Sequence, residues 1–275
     1  MNDATDRTFA IVGPGRAGTA IAVALVDAGY RAVAVAGRTP DAASSRAVAI
    51  RLGAPAVEVA DAGRDADLVV IATPDAAIET AAATVSPGLR RGALVIHLAG
   101  ARGLDALDSI RAARPDVRVG ALHPLQTLPS GDGGRDALRG AWAAVAGPSR
   151  VAELALELGL QPFTVADADR ATYHAAAVVA SNHLVALLGQ VERLACASGM
   201  PFAAFEPLAR AALDHSFALG PAAALTGPVA RGDTATVAGH LDAIPDDEQR
   251  AYRALAEAAQ RLTGRDDAAL REVLA

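Results

Sequence analysis

The chain has 275 residues, 52% hydrophobic but only 3% aromatic, and a formal net charge of -6. All 25 basic residues are arginine, which excludes a Schiff-base lysine, a phosphate-binding P-loop lysine and a lysine general acid. A negative balance without a clustered basic face also argues against non-specific nucleic-acid binding.

In chain order, six short apolar runs read as buried strands: 8–12, 32–36, 68–72, 94–98, 118–122 and 141–146. Each ends at glycine, proline or a small polar cluster. Helical patterns cover 17–28 and 41–52 between the first strands, and 150–158 leads into a short run at 163–165. Near-continuous apolar strands separated by helices predict a parallel sheet covered on both faces. Beyond 167 no strand pattern remains. A long helix is expected over 169–198, closed by Gly199 and Pro201. Further helices are expected near 203–219, 222–231, 234–244, 246–263 and 266–274, with Pro228 placed to break the second of these.

Gly13-Pro14-Gly15-Arg16-Ala17-Gly18 follows the first strand and opens the first helix. In that context the glycines suit a tight turn, a pyrophosphate lying close to the backbone and close helix–strand packing. The exposed N–H groups at the helix start then receive phosphate charge. The predicted fold is therefore α/β: a doubly wound Rossmann domain over 1–166, followed by an all-helical domain over 167–275 for substrate binding and dimerisation. The second strand ends in Gly37-Arg38-Thr39, with no acidic residue before Asp41 to hold a ribose 2′-hydroxyl. Gly37 leaves room, Arg38 can grip a 2′-phosphate with its planar fork, and Thr39 adds a hydroxyl, so NADPH is expected over NADH. Thr73 and Pro74, after the third strand, are placed to border ribose or pyrophosphate.

His97 and His123 stand at later strand ends, where each is either a catalyst or a satisfied turn residue. On the long helix, His174, Val178 and Asn182 step along one ridge at i, i+4 and i+8. Polar groups on an apolar helix need partners, so they belong either in a cleft or against neighbouring backbone. Arg231 reads as a carboxylate anchor or as a structural ion pair with Asp233 at a helix start. No metal-ligand spacing joins the six histidines, so no metal is expected. Cys196 is alone, which excludes an internal disulfide and suits a reducing compartment. The first residues lack a leader pattern, and the most apolar stretch is broken by Ser181, Asn182 and His183. A cytoplasmic protein without a membrane span is expected.

His123-Pro124-Leu125-Gln126-Thr127, Ser181-Asn182-His183-Leu184 and Thr226-Gly227-Pro228-Val229-Ala230-Arg231-Gly232-Asp233 carry a resemblance. Over nearly its whole length the chain resembles a family of Rossmann-like oxidoreductases with a C-terminal helical domain of unknown function. That family lies in the 6-phosphogluconate-dehydrogenase-like superfamily. The resemblance implies NADP use and a homodimer packed through long helices. The long helix also resembles that of ketopantoate reductases, where a catalytic Lys is followed by Asn four and eight residues later. Asn182 matches the second Asn, while Val178 and His174 stand at the first Asn and the Lys. An imidazolium at His174 preserves a possible acid.

The expected activity is NADPH-dependent hydride transfer to a carbonyl or imine of a small carboxylate metabolite, with ketopantoate the first 2-oxo acid to test. His174 is the first candidate acid and His123 the second. Asn182 and Ser181 would orient substrate, and Arg231 would hold its carboxylate. A pyrroline-5-carboxylate-like imine reductase and a prephenate-like dehydrogenase are the alternative enzymes, and a non-catalytic NADP-binding redox sensor is the alternative of another class.

Overall fold

The computed structural model describes residues 7–275. The leader pattern sought at the N-terminus falls on residues 1–6, outside the described residues. The chain forms two compact units, Met1–Ser181 and Asn182–Ala275.

The first unit is built on a seven-stranded sheet. Its strands are β1 Thr8–Val12, β2 Arg31–Ala36, β3 Leu68–Ile71, β4 Leu94–His97, β5 Arg118–Pro124, β6 Trp142–Ala146 and β7 Gln161–Thr164. They lie in the order β2-β1-β3-β4-β5-β6-β7. The helices of this unit are α1 Arg16–Asp27, α2 Ala43–Leu52, α3 Ile78–Val85, α4 Asp108–Ala113, α5 Asp132–Asp136, α6 Ser149–Glu157 and α7 Arg170–Val178. Successive strand residues point to opposite faces, so each buried strand feeds two cores. Phe9 and Ile11 join Ile21, Leu25, Val151 and Leu154 on the α1 and α6 side. Ala10 and Val12 join Ile78, Ala82, Val85 and Ile110 on the α3 and α4 side.

Strands β1 to β5 pair in parallel, whereas β6 runs antiparallel to β5, with Leu122 opposite Val145 and His123 opposite Ala144. β7 pairs parallel to β6, so the uniform parallel sheet expected from sequence is corrected at its last two strands. A buried strand carries the same apolar run in either direction, so its pattern is silent on polarity.

The expected division at 166 lies at the end of β7, but the compact units divide fifteen residues later, inside the long helix. The helix itself is not uniform: α7 ends in a π-helical turn over Val179–His183 before α8, Leu184–Ala197, begins. That turn interrupts the ridge expected for His174, Val178 and Asn182. The whole segment Asp167–Ala197 is long and apolar enough to cross a membrane by length and composition, although Ser181, Asn182 and His183 interrupt its apolar run.

In the second unit α8 is followed by α9 Glu206–Leu219, α10 Pro221–Ala224, α11 Pro228–Arg231, α12 Thr234–Ala243, α13 Asp246–Leu262 and α14 Ala268–Leu274. The helix expected over 222–231 is indeed broken, with Pro228 opening its second piece. Val237, Leu241, Ala256, Leu270 and Leu274 form the small core of this unit. Asp233 caps α12 by accepting the Thr236 N–H at 3.1 Å, and Gln190 of α8 donates to the Glu248 carbonyl at 2.9 Å.

Candidate active site

The chain reverses its direction of sheet growth between β1 and β3, so the carboxyl ends of these strands frame a crevice where ligands of doubly wound folds bind. Gly13 turns there with φ +97°, a left-handed value, and a Cβ on it would lie 2.7 Å from the Ala72 carbonyl carbon. A Cβ on Gly18 would lie 2.3 Å from the Gly13 carbonyl oxygen, so α1 packs onto the turn only because residue 18 has no side chain. Gly15 differs, since a Cβ there would meet nothing within 4 Å. Its backbone faces open space at the start of α1, beside Pro14 and the exposed Arg16, while Ala17 is half-buried. Thr73, at the end of β3, has a buried hydroxyl without a hydrogen-bond partner, and Pro74 beside it is exposed. An open cradle of backbone N–H groups and an unpartnered hydroxyl fit the phosphates and ribose of a dinucleotide.

At the end of β2, Arg38 and Thr39 are exposed. The room left by Gly37 is taken by Ser45 of α2, whose Oγ would lie 2.1 Å from an added Cβ. Gly37 therefore lets α2 pack close to the end of β2.

Further along the same carboxyl edge, β4 and β5 end in His97 and His123. His97 is completely buried. Its Nδ1 accepts the Ala99 N–H at 3.2 Å, which leaves the proton on Nε2 to be donated to the Gly103 carbonyl at 3.0 Å. Burial pushes its pKa down, against the raising effect of the Gly103 bond. His97 is thus a clasp on the 97–103 loop.

His123 faces side chains instead. Its Nδ1 lies 2.7 Å from the Tyr173 hydroxyl on α7, and its ring stands 6.0 Å from that of His174 at 72°. The clasped loop brings Gly100 so close that an added Cβ would lie 2.7 Å from His174 Cδ2 and 2.9 Å from His123 Nε2. Burial above all, then the electrostatic influence of His174, Arg170 and His97, lowers the His123 pKa to about 4. Burial likewise raises the Tyr173 pKa, partly opposed by Arg170. Phe163 of β7 packs edge-on against Tyr173, and Trp142 of β6 against Phe163, so the aromatic residues continue the cluster across the sheet.

The structure therefore unites His123 with His174 and adds Tyr173, which the sequence reading did not single out. Its signal was its place beside His174 on a helix facing a strand-end histidine. Ser181 closes the first unit with its hydroxyl donating to the Ala177 carbonyl at 2.7 Å. Asn182 opens the second unit, in the π-helical turn. Arg231 ends α11 in that unit, where its charge lowers the Asp233 pKa after the hydrogen bonds from Thr236. Among the described residues no group of three or more His, Cys, Asp or Glu is placed to hold a metal ion.

Residues 8–100 match a family described as NADP oxidoreductase coenzyme F420-dependent. Residues 143–259 match a family described as a domain of unknown function, DUF2520. The fold is Rossmann-like, with a helical C-terminal region. A Bacteroides fragilis structure described as an NADP oxidoreductase shares 24% identity and a TM-score of 0.79, over 93% of this chain and 98% of that one. Thermotoga maritima protein TM1727 shares 22% identity and a TM-score of 0.66, over 97% and 98%. A pyrroline-5-carboxylate reductase from Coxiella burnetii shares 16% identity and a TM-score of 0.57, over 94% and 99%. No curated protein matches the sequence. The solved structures show the fold, the family match over residues 8–100 supports a Rossmann-like oxidoreductase, and the support does not extend to the ketopantoate reductases.

Proposed function

We propose that this chain is an NADPH-dependent reductase acting on a carbonyl or imine carbon of a small carboxylate metabolite such as a 2-oxo acid. The observation that carries the reading is one sheet edge holding both a dinucleotide cradle and the ring cluster of His123, Tyr173 and His174. The match of residues 8–100 to an NADP oxidoreductase family supports the choice of cofactor. Exposed Arg38 and Thr39 are the groups to meet a 2′-phosphate. NADPH bound in the cradle would supply a hydride to the acceptor carbon, and one proton then completes the alcohol or amine.

The chain's own residues govern the acceptor. With a pKa of about 4, His123 is a neutral imidazole at pH 7. A phenol is a better donor than a neutral imidazole, so Tyr173 donates to Nδ1 and the His123 proton resides on Nε2. That Nε2–H is a fixed donor for an acceptor oxygen or nitrogen as negative charge builds on it. His174, half-buried against the same Gly100, is the group that gives up the proton. A second copy of the chain is proposed to cover the exposed apolar helices of the second unit.

Loss of NADPH absorbance across a panel of 2-oxo acids, ketopantoate first, and cyclic imines tests this reading. NADPH should outperform NADH, and Arg38→Ala should weaken NADPH binding about tenfold, within the range for a charge-assisted hydrogen bond. His174→Gln should lower kcat by about a hundredfold. Tight NADPH binding with no turnover of any acceptor would replace the reductase by a cofactor sensor, and unchanged kcat in both His174→Gln and His123→Gln would remove the acid assignments.

A further inference from the structure

Beside the ring cluster lies a charge that the reductase reading leaves unused. Arg170, the first residue of α7, is the bulkiest fully buried side chain among the described residues, with 1% exposure. Its Nε donates to Asp167 Oδ1 at 3.2 Å, while Nη1 and Nη2 have no hydrogen-bond partner. Asp167 is itself 60% exposed, so water screens the only counter-charge on that contact. Position adds to the cost. A cation at the first residue of a helix faces the positive end of the helix dipole. His97 and His123, which feel the Arg170 charge, offer it no compensation, since that charge disfavours their own protonation. A buried guanidinium with four of its five N–H donors empty is a costly arrangement, and the empty donors form the planar fork that grips a carboxylate.

The helix sets what else this fork serves. Tyr173 and His174 follow Arg170 at i+3 and i+4, on the same face of α7, and these two rings contact His123. We infer that Arg170 is the anion subsite of the candidate active site, holding the carboxylate of the acceptor while His123 and His174 address its reacting carbonyl or imine. Both Nη groups are closed to water. The carboxylate therefore reaches them only when neighbouring side chains shift, and binding is coupled to that shift. The substrate class rests on the reductase reading, but the subsite is testable without turnover.

Thermal unfolding of the full chain with oxamate, an unreactive mimic of a 2-oxo acid, tests it, with NADP present and sodium chloride at matched ionic strength as control. Wild-type Tm should rise with oxamate and saturate. Oxamate affinity should fall about tenfold or more in Arg170→Lys, as expected for a lost charge-assisted hydrogen bond, and the effect should vanish in Arg170→Gln, with NADPH affinity retained in both. Equal stabilisation of wild type and variants by oxamate would overturn the subsite, as would no stabilisation of wild type. A purely structural Arg170 would change the starting Tm and leave the oxamate dependence intact, which also overturns it. Should Arg170→Gln not fold, wild type and Arg170→Lys decide. Arg170-dependent oxamate binding without turnover of any acceptor would leave the subsite and sink the reductase reading. Turnover of a 2-oxo acid with unchanged KM in Arg170→Lys would do the reverse.

Discussion

His97 and His123 occupy equivalent strand ends, and their neighbours give them different work. His97 finds a backbone donor and a backbone acceptor within its own loop, so both ring nitrogens are spent. His123 has one nitrogen on a tyrosine hydroxyl and the other beside Gly100 and His174. The low pKa of His123 has a measurable consequence for stability. Its folded value of about 4 lies below the ordinary 6.5, so the unfolded chain binds more protons between these values. Stability is then full above about pH 6.5 and falls on acidification toward pH 4, by up to about 3 kcal/mol from this residue. His97, also lowered, acts in the same direction. Urea unfolding followed from pH 7 to pH 4 should show this loss, and His123→Gln should reduce it while the His97 share remains. An identical pH slope in wild type and His123→Gln would contradict the neutral, buried state of this ring.

At the scale of elements, the strand–turn–helix that opens the chain separates two uses of glycine. Gly18 serves packing, because a side chain there collides with the Gly13 carbonyl. Gly15 borders open space, where a side chain would collide with nothing in the protein, and its proposed use is to let the cofactor phosphates approach. Gly18→Ala should therefore cost about 1–3 kcal/mol in urea unfolding, the range for overpacking. Gly15→Ala should keep wild-type stability but weaken NADPH at least about tenfold by fluorescence titration, because its methyl group occupies the phosphate approach. Wild-type NADPH affinity in Gly15→Ala would place the pyrophosphate elsewhere. This element was legible in the sequence because every signal in it is local: an apolar run, three spaced glycines and a helical period. The π-helical turn at Val179–His183 was not, since one added residue in a turn leaves an Ala- and Val-rich pattern unchanged. The polarity of β6 was hidden for the same kind of reason.

For the whole molecule, the helical unit leaves the helices α8 and α9 largely uncovered. No residue of α9 is buried, and α8 buries only Gln190 and Ala195. Leu208 and Phe217 of α9 are 69% and 85% exposed. Large exposed apolar side chains of this kind suit an association surface, and a standard stable interface takes about 800 Å² from each partner. A homodimer through α8 and α9 is the proposed assembly. Sedimentation at micromolar concentration should give the mass of a dimer, and Phe217→Glu should shift it toward the monomer. A wild-type chain sedimenting as a monomer would end the proposal.

The sequence by itself determined the two-part architecture, the glycine-rich strand–turn–helix at the start of the sheet and the exclusion of lysine chemistry. These follow from periodicity, glycine spacing and composition, which are local and additive along the chain. It also marked His123 and His174, though as separate candidates fifty-one residues apart. Only the tertiary structure decided that they meet across Gly100, that Tyr173 belongs with them and that His97 does not. The same holds for Arg170. In sequence it is one of 25 arginines at an ordinary helix start, whereas burial and the two empty Nη groups set it apart. Burial and hydrogen-bond satisfaction depend on residues distant along the chain, and for a buried charge those distant residues decide whether it is a packing defect or a binding site.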